Sequence, residues 1–119
     1  MMVIDEVEAC LRSYRYSFSN EVELQDGVEE ALSAAGFNFE RESAVPPTCD
    51  RIDFRVGFVG IEVKVGGSLF ALVRQLHRYA SAPSFNSFIV VTSLVRLSNL
   101  PREISGKPLR VVRLTEAML

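Results

Sequence analysis

The chain has one histidine and two cysteines among its 119 residues. Cys10 and Cys49 are too few for a disulfide framework, and they belong to no CxxC or Cys/His cluster. This argues against zinc and predicts reduced thiols in a cytoplasmic protein. A lone His77 gives histidine-based nucleophilic catalysis little to work with. No apolar run approaches the ~18 residues of a bilayer-crossing helix, so no membrane association is expected. The N-terminus shows no basic region followed by an apolar core, so no signal peptide is expected. There is no internal repeat, low-complexity segment or linker, and nothing that calls for a small-molecule cofactor.

The hydrophobic share of 48% and the mean hydropathy of +0.17 fit one well-packed globular domain spanning 1–119. The net charge of −2 hides an asymmetry. Residues 1–50 hold three Lys/Arg against eleven Asp/Glu, and residues 51–119 hold ten against four. A basic second half is what a surface tracking phosphates requires.

The most informative stretch is Arg51 to Val65, RIDFRVGFVGIEVKV. Ile52, Phe54 and Val56 alternate with Asp53 and Arg55; Ile61, Val63 and Val65 alternate with Glu62 and Lys64. Strict alternation predicts two strands, and Gly57 and Gly60 bracket the turn between them, where positive φ is expected. Paired as a hairpin, the strands gather Asp53, Glu62 and Lys64 on one side. Carboxylates and an amine are costly to desolvate in a small domain. A divalent cation removes the objection, because two carboxylates and a backbone carbonyl are hard oxygen ligands suited to Mg²⁺, with Mn²⁺ as a substitute. Lysine, a compact charge with a tunable pKa, suits orienting water or steadying a phosphate. An ordinary solvated sheet face is the plain alternative.

Asp53, eight intervening residues, then Glu62-Val63-Lys64 resembles the core of the PD-(D/E)XK nuclease superfamily, which includes restriction enzymes, Holliday-junction resolvases and RecB-type exonucleases. The proline that usually precedes the aspartate is absent, and Ile52 stands there. The resemblance implies a restriction-endonuclease-like α/β core, α-β-β-β-α-β with a mixed central sheet flanked by helices, and it covers roughly residues 20–92.

The flanking sequence supplies those elements. Ile4, Val7, Leu11 and Tyr14 mark a first helix over 3–13. Asn20 and Glu23 form a capping box for a helix over 21–35, with Gly36 as its stop. In the superfamily a first-helix glutamate often reaches the metal, which makes Glu21 the candidate here. Residues 37–44 read as a strand, with Glu42 on a solvated face. Ser68 caps a helix over 68–80 whose apolar stripe is Leu69, Leu72, Val73, Leu76 and Ala80. In RecB-like and resolvase-like members a glutamine on this helix sits beside the catalytic lysine; Gln75 and Tyr79 occupy the matching places. Arg74 and Arg78, one turn apart, suit a phosphate clamp. Ser87–Thr92 reads as a buried strand parallel to 61–65. Residues 93–108 show no regular element, Arg110–Leu114 reads as a last strand, and 115–119 as the start of a short helix.

The resemblance therefore implies Mg²⁺-dependent hydrolysis of DNA phosphodiesters. Asp53, Glu62, the Val63 carbonyl and Glu21 are the expected metal ligands. Asp53, Glu62, Lys64, Gln75 and Glu21 are the expected catalytic set. Arg74, Arg78, Arg55 and Tyr79 are the expected DNA contacts. A homodimer is expected, with the apolar residues of the first helix or of 94–100 as its interface. The alternative is a non-catalytic nucleic-acid-binding or assembly module that keeps the nuclease fold.

Overall fold

A computed structural model describes residues 2–115; of the expected C-terminal helix, residues 116–119 lie outside this range. The chain runs α1 (Val3–Ser13), α2 (Glu21–Ala34), β1 (Glu40–Ala44), β2 (Arg51–Val56), β3 (Val59–Lys64), α3 (Leu69–Ala80), β4 (Ser87–Thr92), a 3₁₀ helix Val95–Asn99, β5 (Glu103–Ile104) and β6 (Lys107–Arg113). The six strands form one mixed sheet in the order β1-β2-β3-β4-β6-β5. β1-β2-β3 is an antiparallel meander, and β4 and β6 run parallel to β3.

Helices cover both faces of the sheet. One face packs Phe54, Val56, Ile61, Val63, Ile89, Val91 and Val112 against the stripes of α1 and α2. The other packs Ile52, Phe88, Val90 and Leu109 against Leu72, Leu76 and Tyr79 of α3. β4 is buried at every position, as a central strand between two helical layers requires. The solvated-sheet-face alternative fails for the same reason: Glu62 is 3% exposed.

The helix ends follow their capping chemistry. Asn20 Oδ1 accepts the Glu23 N–H at 2.9 Å, while the Glu23 carboxylate accepts from the Ser19 N–H at 2.8 Å, one residue before the expected box partner. Ser68 Oγ accepts the Ala71 N–H at the start of α3. Gly36 follows α2 at φ +82°.

Four expectations are corrected. Gly60 is a strand residue, and its lack of a side chain serves packing: a Cβ there would lie 2.5 Å from Ile52 Cδ1 and 2.9 Å from Phe88 Cδ1. Only Gly57, at φ +59°, supplies the positive φ of the β2–β3 turn. β1 begins at Glu40, because Phe37 and Phe39 pack against the core without joining a strand ladder. Residues 93–108 hold the 3₁₀ helix and the β5–β6 hairpin, so the last strand starts at Lys107. Most of the apolar residues expected at a dimer face are spent within the chain: Ile4, Val7 and Leu11 of α1 are buried in the core, as are Leu97 and Leu100, which leaves Val3 and Val95 exposed.

Candidate active site at the freed edge of β3

β2 and β3 are joined by a two-residue turn and pair in regular register from Val56–Val59 to Phe54–Ile61. Beyond that pair, side chains take over from the ladder. Asp53 Oδ2 accepts the Val63 N–H at 2.7 Å, and Glu62 Oε1 accepts the Asp53 N–H at 3.3 Å. Two residues further along β3, Glu21 Oε1 accepts the Val65 N–H at 3.2 Å. Residues two apart on a strand turn their N–H groups to the same side. Asp53 from β2 and Glu21 from α2 thus serve successive donors on one edge of β3, where β2's own carbonyls no longer reach. The Val63 carbonyl, pointing to the same side as its N–H, faces that edge too.

The splay has a visible origin in β2. Ile52 packs on the α3 face and Phe54 on the α1/α2 face, so the alternation breaks between them. In the facing strand Glu42, exposed and at φ +53°, lies between the paired residues Arg41 and Ser43. Asp53, at the break, turns its carboxylate edgewise toward β3. Tyr79 braces the same segment: its buried hydroxyl donates to the Arg51 carbonyl at 3.0 Å.

The charges are not balanced. Lys64 Nζ lies 3.7 Å from Glu62 Oε2, and it is the one cation paired with this group among the described residues. Burial, reinforced by the neighbouring Asp53 charge, pushes the Glu62 carboxyl up to about 8. Burial and the charge of Glu21 raise Asp53 as well, despite the Val63 N–H bond. Burial and then the Glu62 and Asp53 charges raise the Tyr79 hydroxyl, which stays a neutral donor. Two carboxyls that share a site and cannot both ionise cheaply behave as a coupled pair.

The donor set fits a hard divalent cation. It offers carboxylate oxygens and a strand-edge carbonyl, with excess negative charge and no sulfur or imidazole. Among the described residues, however, no three Asp, Glu, His or Cys side chains are drawn together tightly enough to enclose an ion. Glu21 stands as an outer member, held by Val65.

A shallow cleft of about 250 Å³, lined by Lys64, Gly66, Gly67, Ser68, Gln75 and Arg78 among others, meets the carboxylates only through Lys64, since none of Glu21, Asp53 and Glu62 lines it. Lys64 and Gln75, 11 positions apart in sequence, therefore share one wall-to-wall space. The other expected contacts separate. Arg78 is engaged by Asp50 through bonds of 2.8 and 3.3 Å. Arg55 lies toward the β2–β3 turn, its guanidinium 5.4 Å from the Phe85 ring centroid and its Nε donating to the Gly57 carbonyl. Tyr79 is fully buried, so it holds β2 in place and offers no surface to a ligand. Arg74 is exposed and has no ion pair among the described residues. His77 is exposed with Nδ1 3.3 Å from Ser105 Oγ, away from the cleft lining.

Sequence reading missed two residues. Arg96, from the 3₁₀ helix, donates to the carbonyl of Gly67, a residue of the cleft lining, at 2.7 Å. Phe70 is 81% exposed on the first turn of α3. Its place outside the Leu69–Leu72–Val73–Leu76 stripe was the available signal. No family model, curated protein or solved structure matches the chain.

Proposed function

We propose that the chain is a divalent-metal-dependent deoxyribonuclease with a restriction-endonuclease-like core. One observation carries this reading: carboxylates from α2, β2 and β3 meet along an edge of β3 with a single lysine beside them. A structural ion-pair network has no use for that surplus, whereas phosphodiester hydrolysis does. The observed order α2-β1-β2-β3-α3-β4 and the parallel β3–β4 pair agree with the superfamily core that the Asp53…Glu62-Val63-Lys64 spacing resembles.

In this reading Asp53, Glu62 and the Val63 carbonyl hold Mg²⁺ or Mn²⁺, with Glu21 supporting it directly or through water. A cation bound there supplies Lewis acidity toward a phosphate oxygen and makes bound water more acidic. Lys64 holds the hydrolytic water or the charge developing on the phosphate. Gln75, across the cleft, orients water or Lys64. Arg74 contacts a backbone phosphate. A homodimer supplies one site to each strand of a duplex.

The test is cleavage of plasmid, linear and single-stranded DNA in Mg²⁺ and in Mn²⁺. Wild type is expected to cleave at least one of them and Lys64→Ala to lose that activity; equal rates in the two proteins sink the reading. Calorimetric titration of Mn²⁺ into wild type and into an Asp53→Ala, Glu62→Ala double variant locates the metal. The second reading, a non-catalytic nucleic-acid-binding or assembly module, draws on the lack of a tightly closed group of three ligands among the described residues. Metal-independent DNA binding without cleavage favours it.

A further inference from the structure

Four exposed apolar side chains adjoin, along the chain, residues that line or flank the cleft. Phe70 is 81% exposed, Val95 69%, Val22 59% and Leu69 40%. All four sit beside groups that converge on the end of β3. Val22 follows Glu21, which holds Val65; Leu69 and Phe70 follow the Gly66-Gly67-Ser68 turn; Val95 precedes Arg96, which holds Gly67. A second exposed apolar patch, Met2, Val3 and Phe58, lines a hollow of about 380 Å³ at the far, β2–β3-turn end of the sheet. No charged residue lines that hollow, and nothing shows what covers it.

The rim at the cleft differs in its company. On α3, Phe70, Arg74 and Arg78 follow at i, i+4 and i+8 and form one ridge. Ala71 and Gln75, on the neighbouring ridge, line the cleft together with Arg78 and Lys64. α3 carries no acidic residue along its whole length, LFALVRQLHRYA. An exposed aromatic ring thus stands one helical turn from an exposed guanidinium, next to a lysine-lined cleft. A ring accepts the face of any base and a guanidinium accepts phosphate. A basic track with an aromatic stop is how single strands are held without sequence preference. A continuous duplex keeps its base faces stacked and has none to give.

We propose that Phe70 is a base-stacking platform that selects unpaired nucleotides, delivering single-stranded or splayed DNA to the cleft with Arg74 on the adjoining phosphate. The inference rests on the nuclease reading for the cleft's purpose, but its own observable is strand preference in binding.

The experiment is fluorescence anisotropy of a labelled single-stranded oligonucleotide and of a duplex of the same length, in Ca²⁺ buffer, with light scattering in parallel. Wild type is expected to bind the single strand more tightly than the duplex. Phe70→Ala is expected to weaken the single strand by about tenfold or more, the scale of one lost stack, and the duplex by less than about twofold. Phe70→Tyr retains binding, and Phe58→Ala, at the far end of the sheet, changes neither. The inference is overturned by unchanged binding in Phe70→Ala, or by equal losses on single strand and duplex. It is also overturned by a Phe70→Ala fall in molecular mass, which assigns the rim to a second copy of the chain. Failure here with cleavage still abolished in Lys64→Ala removes the platform alone. Stacking loss in Phe70→Ala with no metal binding at Asp53 and Glu62 removes the nuclease reading and leaves a single-strand-binding module.

Discussion

Two groups of carboxylates, one on α1 and one along the edge of β3, have been treated differently. On the α1 side, Asp5 and Glu8 receive the Arg110 guanidinium, with Glu8 at 2.8 Å, and Arg12 adds a second bond to Glu8. The hydrogen bond from Arg110 holds Asp5 below its usual value. Burial pushes Glu8 up, but the bonds from Arg110 and Arg12 outweigh it and leave that carboxyl lowered too. Two acids meet two guanidinium groups, and water covers part of each. At the edge of β3, Glu21, Asp53 and Glu62 have one lysine beside them, 3.7 Å from Glu62, and Asp53 and Glu62 are raised. The first group is an ordinary fastening of helix to sheet. The second is deficient in positive charge in a place where water is scarce. That deficit sets the candidate site apart more sharply than any single residue type does.

The contrast is broken most severely by chemistry. Asp53→Asn is expected to slow DNA cleavage by at least about a hundredfold, while Asp5→Asn leaves the rate unchanged. Matched single-turnover rates check this, and equal losses in the two variants erase the distinction between the groups.

The next effect is on stability against pH without divalent cations. Glu62 sits near 4.5 when unfolded and at about 8 when folded. Between those values the folded protein binds the extra proton, so stability falls as pH rises from 4.5 toward 8. The fall attributable to Glu62 is about 2–4 kcal/mol over that window, and Glu62→Gln flattens it. Asp5 and Glu8 act with the opposite sign: their contribution is present above their unfolded values of 3.8 and 4.5 and is lost as pH drops through their lowered folded values. Urea midpoints from pH 4 to 9 for wild type and Glu62→Gln separate the two. Adding Mg²⁺ raises the wild-type midpoint most at the alkaline end, where the ligands have shed their protons, and chelation removes that gain.

Smaller again is the packing beneath the β3 edge. Gly60→Ala places a Cβ 2.5 Å from Ile52 Cδ1 and is expected to cost about 1–3 kcal/mol. Ile52→Val, which removes that Cδ1, restores part of the loss. Full stability in Gly60→Ala shows that β2 can shift freely next to Asp53. The smallest effect belongs to the balanced group. Arg110→Met lowers stability by less than about 1 kcal/mol, and 1 M salt shrinks the difference. A loss as large as that from Gly60→Ala would show the α1 group to be no mere surface fastening.

Much of the fold was legible because local chemistry names it. Asn20, Ser68 and Gly36 are caps and a stop whose side chains or φ do the work within a few residues. The stripe of α3 and the all-apolar run of β4 state their burial directly. The errors fall where burial and pairing part company. Phe37 and Phe39 alternate like a strand because they pack, yet neither joins a strand ladder, and the Phe37 N–H donates instead to the Leu32 carbonyl at 3.0 Å. Gly60 looked like a turn residue, and only the neighbouring Ile52 and Phe88 side chains explain it. The α1 stripe suggested a dimer face because a sequence cannot say whether an apolar face is satisfied within its own chain. At the candidate site, Asp53, Glu62 and Lys64 were readable from spacing on one hairpin. Glu21 came only from resemblance, and Tyr79 was assigned outward although it is buried, while Arg78 is exposed as expected but also bonded to Asp50.

By itself the sequence determined the three helices, the β2–β3 hairpin and the order in which carboxylates and lysine appear, because these depend on interactions across a few residues. Tertiary structure decided the rest. It brought Glu21 to the Val65 N–H across 44 positions of chain, set Gln75 across a cleft from Lys64, and broke the alternation of β2 at Asp53 so that a carboxylate could replace a backbone acceptor. It also decided that Glu62 would be buried, and Asp53 half-buried beside it, with too little positive charge. Desolvation depends on everything packed around a group, and no spacing along a chain contains it.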